Sequence, residues 1–317
     1  MKEEDKKIYM ASIKSLDTEE TIDMWFYRPL GFRCALFFRN RGVHPNVITI
    51  ISIFLGIAAG ICFMQTSLAW NMTGILLLMW ANLYDSTDGQ LARITGQKTR
   101  WGRILDGFAG DCWFFCIYLA IAIRETFQPI PFAPEYNWGV ILWILLSFCG
   151  FWVHGSQCQL ADYYRNIHLY FINEKNGHEF HDSKVQQAEY ESISWRKDFF
   201  WKLFMMFYVA YVENQERMTP AFQKFIKLVN GKYGIDIPSS LRSEFRKGSL
   251  PLMKYANFMT FNSRLITLFI ALLINKLWIY IFFELVVLMA VFVYTKYKHE
   301  KLCQKLTKKI EEGYEFN

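Results

Sequence analysis

The residues of this sequence best suited to chemistry lie in one short stretch: Asp85, Asp88, Gly89, Ala92 and Arg93, followed by Gly102, Asp106 and Asp111. If the stretch begins on a helix, Asp85, Asp88, Gly89 and Ala92 stand at i, i+3, i+4 and i+7 and share one face. Carboxylates and residues with no bulk beyond a methyl group then point the same way. Asp106 follows a short basic turn and opens the next helix, where it can meet the first carboxylates across the hairpin. Carboxylates gathered in this way repel one another, and a shared divalent cation, or a pair of them, resolves the repulsion. Hard oxygen ligands favour Mg²⁺ or Mn²⁺ over zinc. Gly89 and Ala92 let a ligand lie against the helix backbone. Arg93, Lys98, Arg100 and Arg103 offer partners to phosphate oxygens. A cation beside such a slot suits a pyrophosphate, and displacement at phosphorus depends on this kind of positioning and charge stabilisation.

Membrane helices are the elements that must hold these residues. The 317 residues are 53% hydrophobic and 20% charged, with 29 Phe, 17 Tyr and 11 Trp. Their apolar positions fall in blocks, which excludes a disordered chain or a disulfide scaffold. The seven cysteines lack the paired spacing of a zinc site and are expected as free thiols. The first 23 residues contain no apolar core of the kind a signal peptide needs. Six stretches, 47–64, 68–83, 108–123, 138–153, 258–274 and 277–294, approach the roughly 20 apolar residues a crossing requires. Lys and Arg concentrate before the first stretch, between the second and third, between the fourth and fifth, and after the sixth. That bias places both termini and the aspartate motif on the cytoplasmic side.

The expected fold is an all-α integral membrane protein with six transmembrane helices, an N-terminal interfacial amphipathic helix, and a cytoplasmic insertion between spans four and five. Residues 1–45 form the arm, with the amphipathic helix over 22–39 started or kinked at Pro29. Residues 46–160 hold the first four spans and the motif. Residues 161–254 form an insertion that lies partly on the membrane surface, 255–297 the last two spans, and 298–317 the tail. Pro45 and Asn46 enter the first span, where Asn can satisfy an orphan N–H. Three prolines make 125–137 a rigid external connection. Within the insertion, 199–212 is apolar but only 14 residues long, which favours a surface-lying helix over a seventh crossing.

Other polar residues carry weaker signals. His154, Gln157, Gln159, Asp162 and Arg165, with Asn262, Ser263 and Arg264, could bind a phosphate or polyol headgroup near the cytoplasmic face, Arg165 and Arg264 foremost. For any one of them, ordinary helix capping and snorkelling is the favoured reading. His178 and His181 share a spacing but no metal motif. A net charge of +6 that follows the membrane topology gives no footprint for nucleic acid.

Residues 85–106 resemble the signature of the CDP-alcohol phosphotransferase family, matching at Asp85, Asp88, Gly89, Ala92, Arg93, Gly102 and Asp106. The resemblance implies transfer of a phosphoalcohol group, the phosphatidyl group first among them, from a CDP-alcohol donor to a hydroxyl acceptor, with release of CMP in phospholipid biosynthesis. It implies Asp85, Asp88, Asp106 and Asp111 as metal ligands for two Mg²⁺ or Mn²⁺ ions. Asp85, Gly89, Ala92 and Arg93 would then lie beside the CDP moiety, Asp111 would be the base, and the protein would be a homodimer. A CDP-linked small alcohol with a lipid acceptor is an alternative donor arrangement. Hydrolysis of the same pyrophosphate, or a transporter or lipid-binding protein with a cation site, are alternatives in activity.

One position departs from the signature. The last aspartate belongs four residues after Asp106, where Gly110 stands and Asp111 follows. On a regular helix that step turns the carboxylate from about 40° to about 140° away from Asp106. Either a π-bulge near Gly107 and Gly110 restores its aim, or another group deprotonates the acceptor and Asp111 is structural.

Overall fold

The computed structural model describes residues 3–97, 99–172, 182–234 and 236–316. His178, His181 and Lys98 lie outside these residues, as do the side chains of Arg100 and Arg103. Among the described residues, fourteen α-helices follow one another: α1 (Glu3–Ser12), α2 (Arg28–Arg39), α3 (Pro45–Phe63), α4 (Leu68–Thr95), α5 (Arg100–Glu125), α6 (Gly139–Phe148), α7 (Gly155–Ile172), α8 (Ser183–Ser192), α9 (Phe199–Met218), α10 (Pro220–Tyr233), α11 (Ser239–Phe258), α12 (Phe261–Leu273), α13 (Trp278–Phe282) and α14 (Met289–Glu311). Wider π turns occupy Asp23–Tyr27, Cys149–His154 and Phe283–Leu288. Where a rigid external loop is expected, β1 (Pro129–Ile130) and β2 (Ala133–Asn137) pair antiparallel, Pro129 opposite Asn137.

Among the described residues, five helical runs are long and apolar enough to cross a membrane: Pro45–Phe63, Ile104–Glu125, Gly139–Ile172, Ser239–Leu273 and Trp278–Glu311. Most outlast the apolar stretch that marks them in the sequence. The expected second span, now α4, has the length but is not among the five. Asn71, Asn82 and Asp85 thin its apolar content. Helix α9 is also absent from the five, and the N-terminal helix begins as a π turn with Pro29 in the first turn of α2.

The chain divides into two compact units. The first comprises Met1–His154 and Asn262–Val286. Pro45 opens α3 where its missing N–H costs nothing. The cap is His44, whose Nδ1 accepts from the Asn46 N–H at 3.2 Å, and not the Asn46 side chain expected from the sequence. Ser67 caps α4. Helices α3 and α5 meet where Gly56 faces the buried Trp113, whose Nε1 donates to the Ser52 carbonyl at 3.1 Å. A Cβ on Gly56 would lie 2.0 Å from Cδ1 of Trp113. Gly56→Ala is therefore expected to cost about 1–3 kcal/mol through overpacking, read as a lower aggregation temperature of the detergent-solubilised protein.

At the hairpin end of this unit the buried Arg124 donates through Nη1 to Asn71 Oδ1 at 2.9 Å and the Phe63 carbonyl at 3.2 Å, and through Nη2 to Asn275. Asn71 Nδ2 in turn donates to the Leu272 carbonyl at 2.8 Å. These bonds supply polar partners that lipid cannot offer.

The second unit comprises Gly155–Phe261 and Val287–Asn317. An aromatic core fills it, with Phe171 stacked on Phe245 at 4.0 Å between centroids and Phe222 and Phe225 beside them. Tyr164 stacks on His299 at 3.9 Å, and His168 Nδ1 pairs with Ser249 Oγ at 2.7 Å. Along α9, Phe199, Phe200 and Phe207 are exposed, while Met205, Val209 and Val212 turn inward. All seven cysteines are free thiols.

Candidate functional site

A tight helical hairpin builds the site in the first unit. Gly96, at φ +70°, ends α4 in the left-handed conformation that a side chain would strain. Three residues on, the Thr99 hydroxyl accepts from the Gly102 N–H at 2.9 Å and starts α5. A Cβ on Gly102 would meet both Thr99 Oγ1 and Asn46 Oδ1 at 3.0 Å, which accounts for a glycine there.

Asp85 and Asp88 on α4 and Asp106 on α5 consequently converge. Each offers a carboxylate oxygen, and these atoms all lie within 4.8 Å of one another. Asp88 is buried, Asp85 half-buried and Asp106 exposed, so the cluster grades from the protein interior to an open side. Thr49 and the Gly89 backbone lie near Asp88, whose Oδ2 is buried with no hydrogen-bond partner among the described residues. A buried carboxylate oxygen without a donor carries the full cost of its lost hydration. A cation is the partner this donor set fits: hard oxygens, at a separation one or two small divalent ions can bridge.

The small-residue face lies beside the carboxylates. A Cβ on Gly89 would lie 3.4 Å from Nη2 and 3.6 Å from Nη1 of Arg93, so the guanidinium runs alongside the bare backbone there. Ala92 is half-buried on the same helix face.

Asp111 is not part of this group. Helix α5 is α-helical from Arg100 to Glu125 and has no bulge at Gly107 or Gly110. Five residues of regular helix therefore turn Asp111 about 140° away from Asp106. It is exposed, and it interacts electrostatically with His154.

His154 belongs to a buried polar network in the first unit. Arg264 Nε lies 3.2 Å from Glu284 Oε1 and 3.0 Å from His154 Nδ1, and both Arg264 and Glu284 have fully buried side chains. Tyr280 donates to Glu284 Oε1 at 2.6 Å, Tyr118 donates to Oε2, and the Cys149 thiol donates to Oε2 at 3.2 Å. The π turns that the sequence offered at Gly107 occur instead at Cys149–His154 and Phe283–Leu288, where they carry His154, Cys149 and Glu284 into this network. Such turns re-aim side chains within a helix.

The remaining headgroup candidates are also engaged. Asn262 donates to Glu20 and Asp23, each at 2.8 Å. Within the second unit, Arg165 donates to Asn257 at 2.8 Å and Thr260 at 3.1 Å. Asp162 accepts from Tyr211 at 3.1 Å, and Gln159 from Asn214 at 2.6 Å. Sequence reasoning missed Thr49, Tyr118 and Glu284. Only Glu284 carried a usable signal, as an acidic residue inside an apolar span.

Helices apolar enough for a bilayer and a carboxylate cluster suited to divalent cations define the class: an α-helical membrane protein with a candidate metal centre. More narrowly, residues 42–165 match the family model described as CDP-alcohol phosphatidyltransferase. Members are transferases of phosphate-containing groups and generally depend on a divalent metal. No curated protein matches the chain at a significant level.

Proposed function

We propose that this protein transfers a phosphatidyl group from CDP-diacylglycerol to the hydroxyl of a small alcohol, releasing CMP, as a step of membrane phospholipid synthesis. The observation that carries the reading is the convergence of Asp85, Asp88 and Asp106 inside the matched segment, with a buried oxygen of Asp88 left for a cation. Mg²⁺ or Mn²⁺ held by these three residues, one ion or two, would neutralise charge on the pyrophosphate as it reacts. Arg93 binds the same phosphates, and Gly89 and Ala92 leave the space in which the CDP moiety lies. The acceptor oxygen forms a bond to the phosphorus that bears the donor's diacylglycerol. The bond from that phosphorus to the CMP oxygen breaks, and CMP leaves with the electron pair. Asp106, the exposed member of the cluster, takes the acceptor proton, since Asp111 faces elsewhere on α5. Arg264, paired inside the helices, supports the bundle and does not reach the acceptor.

The same reading gives the chain six crossings, with α4 as the second, cytoplasmic termini and active site, interfacial placement of α2 and α9, and a homodimeric state. Reconstituted protein supplied with CDP-diacylglycerol, a set of small alcohols and Mg²⁺ should release CMP, and EDTA should abolish the release. Equal release without any alcohol would make the protein a hydrolase, and metal binding without cleavage would make it a carrier; either outcome rejects the transfer.

A further inference from the structure

The N-terminal arm reaches the motif from outside the matched segment. Ser12 is fully buried, and its main-chain oxygen accepts from Nε of Arg93. Gln90, between the motif's glycine and alanine, donates to Ser12 Oγ at 3.3 Å and to the Arg28 carbonyl at 3.1 Å. Arg28 is held by Glu19 through two bonds of 2.9 and 3.2 Å, and reaches Ser86 Oγ at 3.4 Å. Asn262 ties down Glu20 and Asp23 farther along the arm. Residues 12–28 are thus fastened to α4 at both ends, through Arg93 and Gln90 at Ser12 and through Ser86 and Gln90 at Arg28.

Two consequences bear on an anionic ligand. By engaging Nε, the Ser12 carbonyl fixes the plane of the Arg93 guanidinium and leaves its Nη1 and Nη2 edge lying along Gly89. A guanidinium held at one edge presents the other as a preset fork for phosphate oxygens. The arm also brings cations: Lys14 interacts electrostatically with Asp106, and Arg28 with Asp85 and Asp106. Lys14 is exposed, and an ammonium on a flexible stem can follow a phosphate without a fixed geometry.

We propose that residues 12–28 form a wall of the nucleotide site, in which Ser12 positions Arg93 and Lys14 contributes a phosphate contact that the aspartate motif does not supply. This rests on the transferase reading above, and the ligand class is a nucleoside diphosphate carried with its divalent cation.

Full-length protein in lipid nanodiscs provides the test. Lys14→Met is expected to raise the KM for CDP-diacylglycerol about tenfold, the size of one charge-assisted hydrogen bond, with kcat within about twofold of wild type. Lys14→Arg should restore KM to within about threefold. Hydrogen exchange adds a readout independent of turnover: CDP with Mg²⁺ should slow amide exchange over residues 12–28 as well as over 85–93. An unchanged KM in Lys14→Met overturns the proposal, and so does slowing confined to 85–93. Absence of any CDP-dependent slowing over 85–93 would count against the transferase reading itself, which keeps the two failures apart.

Discussion

Asp88→Asn is expected to lower CMP release by about 10³-fold or more while leaving the protein folded and inserted. The substitution keeps the shape and one acceptor oxygen but removes the charge from the most buried carboxylate of the cluster. Each loss of about 1.4 kcal/mol in transition-state stabilisation costs a factor of ten, and a metal clamp on a transferring phosphoryl group supplies several kcal/mol. Asn has nearly the same volume as Asp, so the packing around the site has little reason to respond. Asp111→Asn, by contrast, should retain measurable turnover, because that side chain lies outside the converging set. Turnover by the Asp88→Asn protein at the wild-type rate, or loss of all activity with Asp111→Asn alone, would reassign the roles.

Glu284→Ala should destabilise the protein by about 3–5 kcal/mol, the cost of stranding a buried charge without its counter-ion. Arg264 is fully buried and has Glu284 at 3.2 Å, while Tyr118, Tyr280 and Cys149 all donate to the same carboxylate. Removing the carboxylate leaves the guanidinium and these donors facing one another in an apolar span. Replacing both charged residues, Arg264→Met with Glu284→Met, should regain much of the lost stability, since the pair's desolvation cost disappears together with its attraction. Thermal unfolding followed by size exclusion in detergent would show this order; a double variant less stable than either single one would contradict it.

The two predictions differ in how far the sequence foresaw their residues. Asp85, Asp88, Gly89, Ala92, Arg93 and Asp106 are close neighbours in the chain, and helix periodicity plus one short turn is enough to infer that their side chains share a face. Glu284, Arg264, His154 and Tyr118 come from four separate helical segments, so no local spacing could reveal the network. The apolar runs disclosed membrane helices but not their lengths, because helix hydrogen bonding continues after hydrophobicity ends, as at 139–172. Turn chemistry misled at Asn46, where His44 took the capping role, and at Gly107, where a bulge was available but α5 stays regular.

By itself, the order of residues determined that the chain is rich in membrane-compatible helices and that one hairpin gathers carboxylates beside a bare stretch of backbone. Those are local properties, set by hydropathy over a helix length and by the 3.6-residue turn. Tertiary packing decided which charges Arg264 and Glu284 neutralise, and that Ser12 reaches Arg93 across 81 positions of chain. Such pairings depend on which helices lie side by side, and a buried polar group accepts whatever partner that packing brings within hydrogen-bond distance.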